Sequence, residues 1–166
     1  EYLSYEIPSD WEVLETYFDD VTYGITFASS TTSVHSPSNV YVEIVDVNDY
    51  VEYETTDYGD EEIQESYYDF VINELLVDYP EEAAAGEILT MMMEDHYVYT
   101  FHYEVEVDGQ QVRQGIYAPM SYEYPIMIYA TEWSDGENPT VDQVTEHIIK
   151  TLQINFDSIE WTSNRF

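Results

Sequence analysis

Apolar and polar residues alternate along several stretches of the chain, a pattern typical of β-strands with one buried face. Two residues, Asp19-Asp20, separate the first two of these stretches, which are therefore predicted to pair with each other. Outside the hairpin described next, the predicted strands cover residues 12–18, 21–28, 40–47, 87–93 and 122–132.

The second half of the chain predicts a long β-hairpin. Apolar residues occupy the odd positions over 97–107, and polar residues occupy most of the even ones. Asp108-Gly109 follows directly and is a strong two-residue hairpin turn. A turn at this position places Glu104 opposite Arg113, so these two side chains are predicted to face water and the odd positions to face the core.

Two further stretches have the apolar spacing of amphipathic helices. The first begins at Asp60, a suitable N-cap, and ends at Tyr79-Pro80, because proline cannot continue a helix. The second opens at 138–140 and carries Lys150 near its C-terminus, where a positive charge is favourable. Together the elements predict an α+β fold, with a mainly antiparallel sheet of about six or seven strands packed against two main helices.

The chain is predicted to form a single domain over residues 1–166, with an irregular lead-in over 1–10 and a tail over 157–166. Hydrophobic residues make up 44% of the sequence, and 18 tyrosines and 3 tryptophans are among them. Such a composition can bury enough surface to fold, which excludes an acidic disordered chain.

The sequence is strongly acidic, with 36 Asp and Glu against 3 Lys and Arg, and a formal net charge of −33. This charge repels phosphate backbones and anionic lipids, which excludes nucleic acid and anionic membrane surfaces as direct partners. Three interpretations of the charge remain open: a hydrated coat suited to a strongly ionic environment, attraction of cations or cationic partners, and a compositional bias without a specific role.

The expected location is extracellular or on the cell surface. The sequence starts at Glu1 and not at Met, so we expect that an export signal or lipid anchor has been removed. No apolar run reaches the roughly 18 residues that a membrane-spanning helix needs. The chain has no Cys, which excludes disulfides, thiolate metal sites and thiol nucleophiles.

The order of these elements, with the motif IPSDW near the start and aromatic strands joined by hairpins, resembles the PsbP-like and DcrB-like family of small extracytoplasmic domains. The resemblance extends over nearly the whole chain, from about Ile7 to Phe156. It implies an antiparallel sheet covered by helices, in secreted proteins or lipid-anchored lipoproteins that mostly lack catalytic activity. It implies no particular site residues.

Asp57, Asp60 and Glu61, grouped around Gly59, are the candidate metal ligands. Hard cations such as calcium prefer several carboxylate and carbonyl oxygens on a loop. Capping of the following helix also accounts for Asp60. A second cluster, formed by Asp46, Asn48 and Asp49, lacks the glycine and final glutamate of an EF-hand loop. Calcium is therefore the only cofactor that the sequence suggests, and no other is predicted.

No pattern in the chain encodes a reaction, and it is predicted not to be an enzyme. Among so many acidic residues, pairs of carboxylates arise by chance. The metalloprotease motif HExxH, the serine-nucleophile motif GxSxG and the phosphate-binding Walker loop are all absent. No catalytic residue is therefore assigned.

Two groups of residues are candidates for apolar or aromatic contact. Tyr97 falls on the predicted core face of its strand, whereas Tyr117 is predicted to lie on the wet face beside Arg113 and is the better candidate for an exposed contact. The methionines at 91–93 could form an adaptable apolar surface. Because Met92 would point opposite its neighbours in a strand, part of this run is expected to be core.

Three functional hypotheses follow. The favoured one is a non-catalytic extracytoplasmic domain that acts as a binding or accessory module of a cell-surface lipoprotein. The second is a calcium-dependent binding protein, and the third is a hydrolase that uses carboxylates. The partner is expected to be an unidentified protein, a cation or a small-molecule ligand.

Overall fold

The computed structural model describes residues 3–18, 22–29, 38–45, 88–94, 96–119, 126–133 and 141–154. The strands in these ranges are β1 (Leu3–Ser4), β2 (Trp11–Phe18), β3 (Thr22–Ser29), β4 (Asn39–Val45), β5 (Leu89–Met93), β6 (His96–Val107), β7 (Gln110–Pro119), β8 (Ile126–Trp133) and β9 (Gln153–Ile154). A helix, α1, spans Val141–Thr151. Seven of the strands form one antiparallel sheet in the order β2-β3-β4-β8-β7-β6-β5, and β1 pairs separately with β9.

The predicted strand pairs are confirmed. β2 runs antiparallel to β3, and β6 and β7 form the predicted hairpin around Asp108 and Gly109. Both turn residues have positive φ angles, 52° and 80°, as a two-residue turn of this kind requires. The turn sets the register of the hairpin, and Glu104 lies opposite Arg113 as predicted.

Helix α1 packs against one face of the sheet. Val42 of β4 lies opposite Ile128 of β8, and both belong to a buried cluster that also contains Val144 and Ile148 of α1. Burying an aliphatic side chain of this size contributes roughly 1.5–3 kcal/mol. The apolar stripe of α1 therefore fixes the helix on the centre of the sheet.

The segment Val98–Phe101 of β6 is buried on both faces of the sheet. Its residues Val98 and Thr100 lie opposite Pro119 and Tyr117 of β7, on the face that α1 covers, and Phe101 lies on the other face. All three β6 side chains are buried. The prediction that only the odd positions of this strand face the core is therefore wrong at Val98 and Thr100, because this part of β6 lies inside the sheet. Glu104 and Glu106 are exposed, as predicted.

The predicted fold class, an α+β fold with two main helices packed on the sheet, is wrong. The described residues form a mainly antiparallel sheet of seven strands with one helix of 11 residues. The strands supply most of the buried cluster, so the core that the described ranges form is built mainly of sheet, with α1 on one face. The helix predicted to start at Asp60 lies outside the described residues. Apolar spacing predicts that such a helix is amphipathic, but it does not predict that the helix packs against the sheet.

The two ends of the described chain meet. Leu3 of β1 lies opposite Ile154 of β9, so a short strand lies within the predicted lead-in. The predicted tail over 157–166 lies outside the described residues, and the single domain stays a prediction. Among the residues that the structure describes, no helix has the length and apolar character needed to cross a membrane.

Candidate functional site

Five polar side chains meet beside the first turn of α1, on the sheet face that the helix covers. The strand register places Arg113 of β7 opposite Glu132 of β8, and the first turn of α1 places the carboxylate of Asp142 beside Arg113. We call this group the polar cluster, and it consists of His102, Arg113, Tyr117, Glu132 and Asp142.

Arg113 forms ion pairs with two carboxylates. Its Nη2 atom lies 2.6 Å from Oε2 of Glu132 and 2.5 Å from Oδ2 of Asp142. Partial burial lowers the pKa of Arg113, but the hydrogen bonds and negative charges of these two partners outweigh burial, so the pKa lies above its ordinary value. The guanidinium therefore joins β7, β8 and α1 through charge-assisted hydrogen bonds.

Tyr117 lies at the buried end of the polar cluster, with only 3% of its surface exposed. Its hydroxyl donates to Oδ1 of Asp142 at 3.0 Å. Because a hydroxyl carries one proton, its oxygen accepts the bond from Nε2 of His102, also at 3.0 Å. Burial, followed by the charge of Asp142, raises the pKa of Tyr117 above its ordinary value.

Gly115 makes room for this arrangement. It lies opposite His102 in the hairpin, and a Cβ atom at this position would lie 2.9 Å from the ring of Tyr117 and 3.0 Å from the ring of His102. The two rings meet edge to face, with their centroids 5.3 Å apart. A glycine here therefore lets the imidazole lie across β7 and reach the tyrosine hydroxyl.

The side chains of the polar cluster bind one another. Arg113 faces two carboxylates, and Tyr117 donates to one of them and accepts from His102. Such a closed network fixes α1 on the sheet. The prediction of Tyr117 as an exposed contact is wrong, because the first turn of α1 covers the face on which it lies.

The buried hydroxyl of Tyr117 is expected to make the folded protein sensitive to alkali. Burial raises the pKa of Tyr117 above the ordinary value of 10.0, so the contribution of this residue to the free energy of unfolding is unchanged below pH 10 and falls as the pH rises above it. The free energy of unfolding is expected to drop less in Tyr117→Phe than in the wild type between about pH 8 and about pH 11, measured by urea titration. Tyr97→Phe, at an exposed position, is the matched control, and equal drops in all three proteins would contradict this environment for Tyr117.

A second feature is apolar and exposed. Strand β5 forms one end of the sheet, and 55% of Met92 and 45% of Tyr97 opposite it are exposed. Leu89 and Met91 are also exposed. We call Leu89, Met91, Met92 and Tyr97 the β5 edge.

The three methionines at 91–93 divide between core and surface. Met93 is buried, whereas Met91 and Met92 are exposed, so the expected division of the run into core and surface is confirmed. The prediction that Tyr97 faces the core is wrong. It lies opposite Met92 at the end of the sheet, where β5 spans only five residues and no further strand of the described residues covers it.

The opposite end of the sheet also exposes apolar side chains, but its backbone is different. In β2, Val13, Leu14, Tyr17 and Phe18 are exposed, alongside two glutamates. The register with β3 shifts between Val13 and Glu15, which marks a β-bulge. Bulges and charged side chains discourage further strands from pairing with an edge.

The candidate metal ligands Asp57, Asp60 and Glu61 lie outside the described residues. Within the described ranges, no group of three or more His, Asp or Glu side chains is arranged to hold a metal ion. The calcium hypothesis stays a prediction that calorimetric titration tests. Saturable binding well below millimolar calcium, lost in the double variant Asp57→Asn with Asp60→Asn, is the result that would favour it.

No family model matches the chain, and no curated protein is significantly similar to it in sequence. Among solved structures, it is similar to a protein from Bacteroides thetaiotaomicron VPI-5482, with a TM-score of 0.58 and 13% identity, over 96% of this chain and 47% of that one. It is also similar to LpqN, described as involved in cell envelope biogenesis of Mycobacterium tuberculosis, with a TM-score of 0.55 and 11% identity, over 92% of this chain and 83% of that one.

These similarities show a shared fold. The chain spans about half the length of the Bacteroides protein. The narrower resemblance to the PsbP-like and DcrB-like family has no support from a family model and stays a prediction.

Proposed function

We propose that this domain is a non-catalytic binding or accessory module of an extracytoplasmic, cell-envelope lipoprotein. The observation that carries the proposal is the β5 edge, where four large apolar side chains are exposed, two on each face of the sheet. Exposed apolar residues that are scattered need no explanation, whereas a group of them around one strand is typical of a contact surface. Methionine adds a flexible and polarisable side chain that adapts to different partners.

The polar cluster supports a structural role better than a catalytic one. General acid–base catalysis needs a group that can exchange a proton with a substrate. Here the Tyr117 hydroxyl is buried between His102 and Asp142, and Arg113 is neutralised by its two carboxylate partners. These contacts favour a network that holds α1 in place and leaves binding to another surface.

The proposed location draws on the shared fold. LpqN has this fold and is described as acting in cell envelope biogenesis. The strongly acidic composition, at −33 formal charges, suits a domain that stays hydrated and does not adhere to anionic lipid surfaces. Fractionation of cells that express the full-length gene is expected to place the protein in the envelope fraction.

Site-specific photocrosslinking in the native host tests the binding role. With benzoylphenylalanine at Tyr97, irradiation is expected to give a discrete adduct with another envelope protein. The same probe at Gln111, an exposed position on the hairpin far along the sheet, is the matched control and is expected to give none. A similar adduct pattern at both positions, or no adduct from either, would refute a binding surface at the β5 edge.

A further inference from the structure

We propose that the outer edge of β5 accepts an extended, cationic segment of a partner protein as an additional strand of the sheet. The inference rests on the binding role proposed above and deepens it by naming the mode of binding and the chemistry of the partner. Backbone geometry, side-chain pattern and charge each contribute one part of the argument.

The backbone of β5 is suited to pairing with a further strand. Among the strands that the structure describes, it is the last in the sheet order, and its register with β6 is continuous from Leu89 to Met93. Alternate residues of an edge strand direct their N–H and C=O groups outward, where another strand can pair with them. β5 contains no proline and no charged residue, whereas β2 at the other end of the sheet has a bulge and two glutamates.

The side chains of the β5 edge offer apolar neighbours on both faces. Leu89 and Met91 lie opposite Thr100 and Val98, on the face that α1 covers. Met92 lies opposite Tyr97 on the other face. A strand added here would place its alternate side chains beside these residues, so an apolar partner strand would gain contacts on both sides of the sheet.

Charge decides which kind of strand fits. The neutral run Leu89–Met93 is bounded in the sequence by Glu87 and by Glu94-Asp95, and the whole chain carries a net charge of −33. A segment with apolar residues in its middle and Lys or Arg at both ends would match this pattern. A second copy of this chain would instead bring two strongly negative molecules together, which repulsion opposes.

Binding of a synthetic peptide, KKVTITVKK, tests the proposal. The peptide is expected to bind the wild-type protein saturably in fluorescence anisotropy, and more weakly as the salt concentration rises. Met92→Lys is expected to weaken binding at least tenfold, because it places a positive charge on the edge itself. Tyr17→Lys on β2, where a side chain of similar exposure is replaced, is the matched control and is expected to leave the affinity unchanged.

A proline variant of the peptide separates strand addition from simple charge attraction. KKVTPTVKK has the same charge but cannot continue a backbone ladder. Equal affinity for the two peptides, equal loss of affinity in Met92→Lys and Tyr17→Lys, or no binding at all would overturn the proposal. Salt-promoted dimers of the free protein that Met92→Lys abolishes would also overturn it, because the occupant would then be a second copy.

The peptide experiment and the photocrosslinking experiment fail independently. If the probe at Tyr97 forms its adduct but the peptide fails to bind, the β5 edge contacts a partner in another way, and strand addition is refuted while the binding role stands. If neither result is obtained, the binding role itself is refuted.

Discussion

Replacing Ile148 with alanine is expected to lower the free energy of unfolding by about 3 kcal/mol, within the range found for buried Ile→Ala changes. Ile148 lies on the inner face of α1 with 0% of its surface exposed. It belongs to the buried cluster that includes Val42 and Ile128 of the sheet. Truncation would leave a cavity between the helix and the two central strands, which rigid strands cannot fully close.

Urea unfolding, followed by tryptophan fluorescence, measures this cost. Gln143→Ala is the matched control, because Gln143 lies on the exposed side of the same helix, and it is expected to change stability by less than about 0.5 kcal/mol. Costs of similar size in the two variants would mean that α1 does not rest on the sheet through this face. Such a result would remove the basis for assigning the two faces of the central strands.

Replacing Asp142 with alanine is expected to cost about 2–3 kcal/mol, the range for leaving buried partners unpaired. The change removes the acceptor of the Tyr117 hydroxyl and one of the two carboxylates of Arg113. Tyr117 is buried, so water cannot readily replace the lost acceptor. The double variant with Tyr117→Phe should therefore cost less than the sum of the two single changes.

A second acidic residue of α1 controls for the change in net charge. Glu146→Ala removes the same charge from a half-exposed side chain that pairs with Lys150 at 3.5 Å. Surface pairs of this kind contribute roughly 0.3–0.5 kcal/mol. If Asp142→Ala costs no more than Glu146→Ala, or if its effect adds fully to that of Tyr117→Phe, the polar cluster does not act as a connected network.

Local signals in the sequence predicted the strands and the hairpin. Asp108-Gly109 sets the register of β6 and β7 because its backbone conformation permits only a tight reversal. Alternation then identifies the two faces of each strand, but it cannot show which face α1 covers. In β6 the even positions Val98 and Thr100 are also buried, since an interior strand of a covered sheet is buried on both sides.

The site residues depend on contacts between distant parts of the chain. The polar cluster joins Tyr117 with Asp142, 25 residues later, and no motif at that spacing indicates the contact. The alternation pattern predicted correctly that Tyr117 and Arg113 lie on the same face of β7. It predicted wrongly that this face is exposed to water at Tyr117. The exposure of Tyr97 follows from the position of β5 at the end of the sheet, and strand order cannot be inferred from alternation within one strand.

Amide hydrogen exchange of the free protein tests the central claim, an open strand edge at β5, most directly. If β5 ends the sheet and its outer edge is unpaired, alternate amides of Leu89–Met93 should exchange quickly while those of β7 exchange slowly. Uniformly slow exchange across Leu89–Met93, comparable with that of β7, would show that this edge is already paired and would contradict the account.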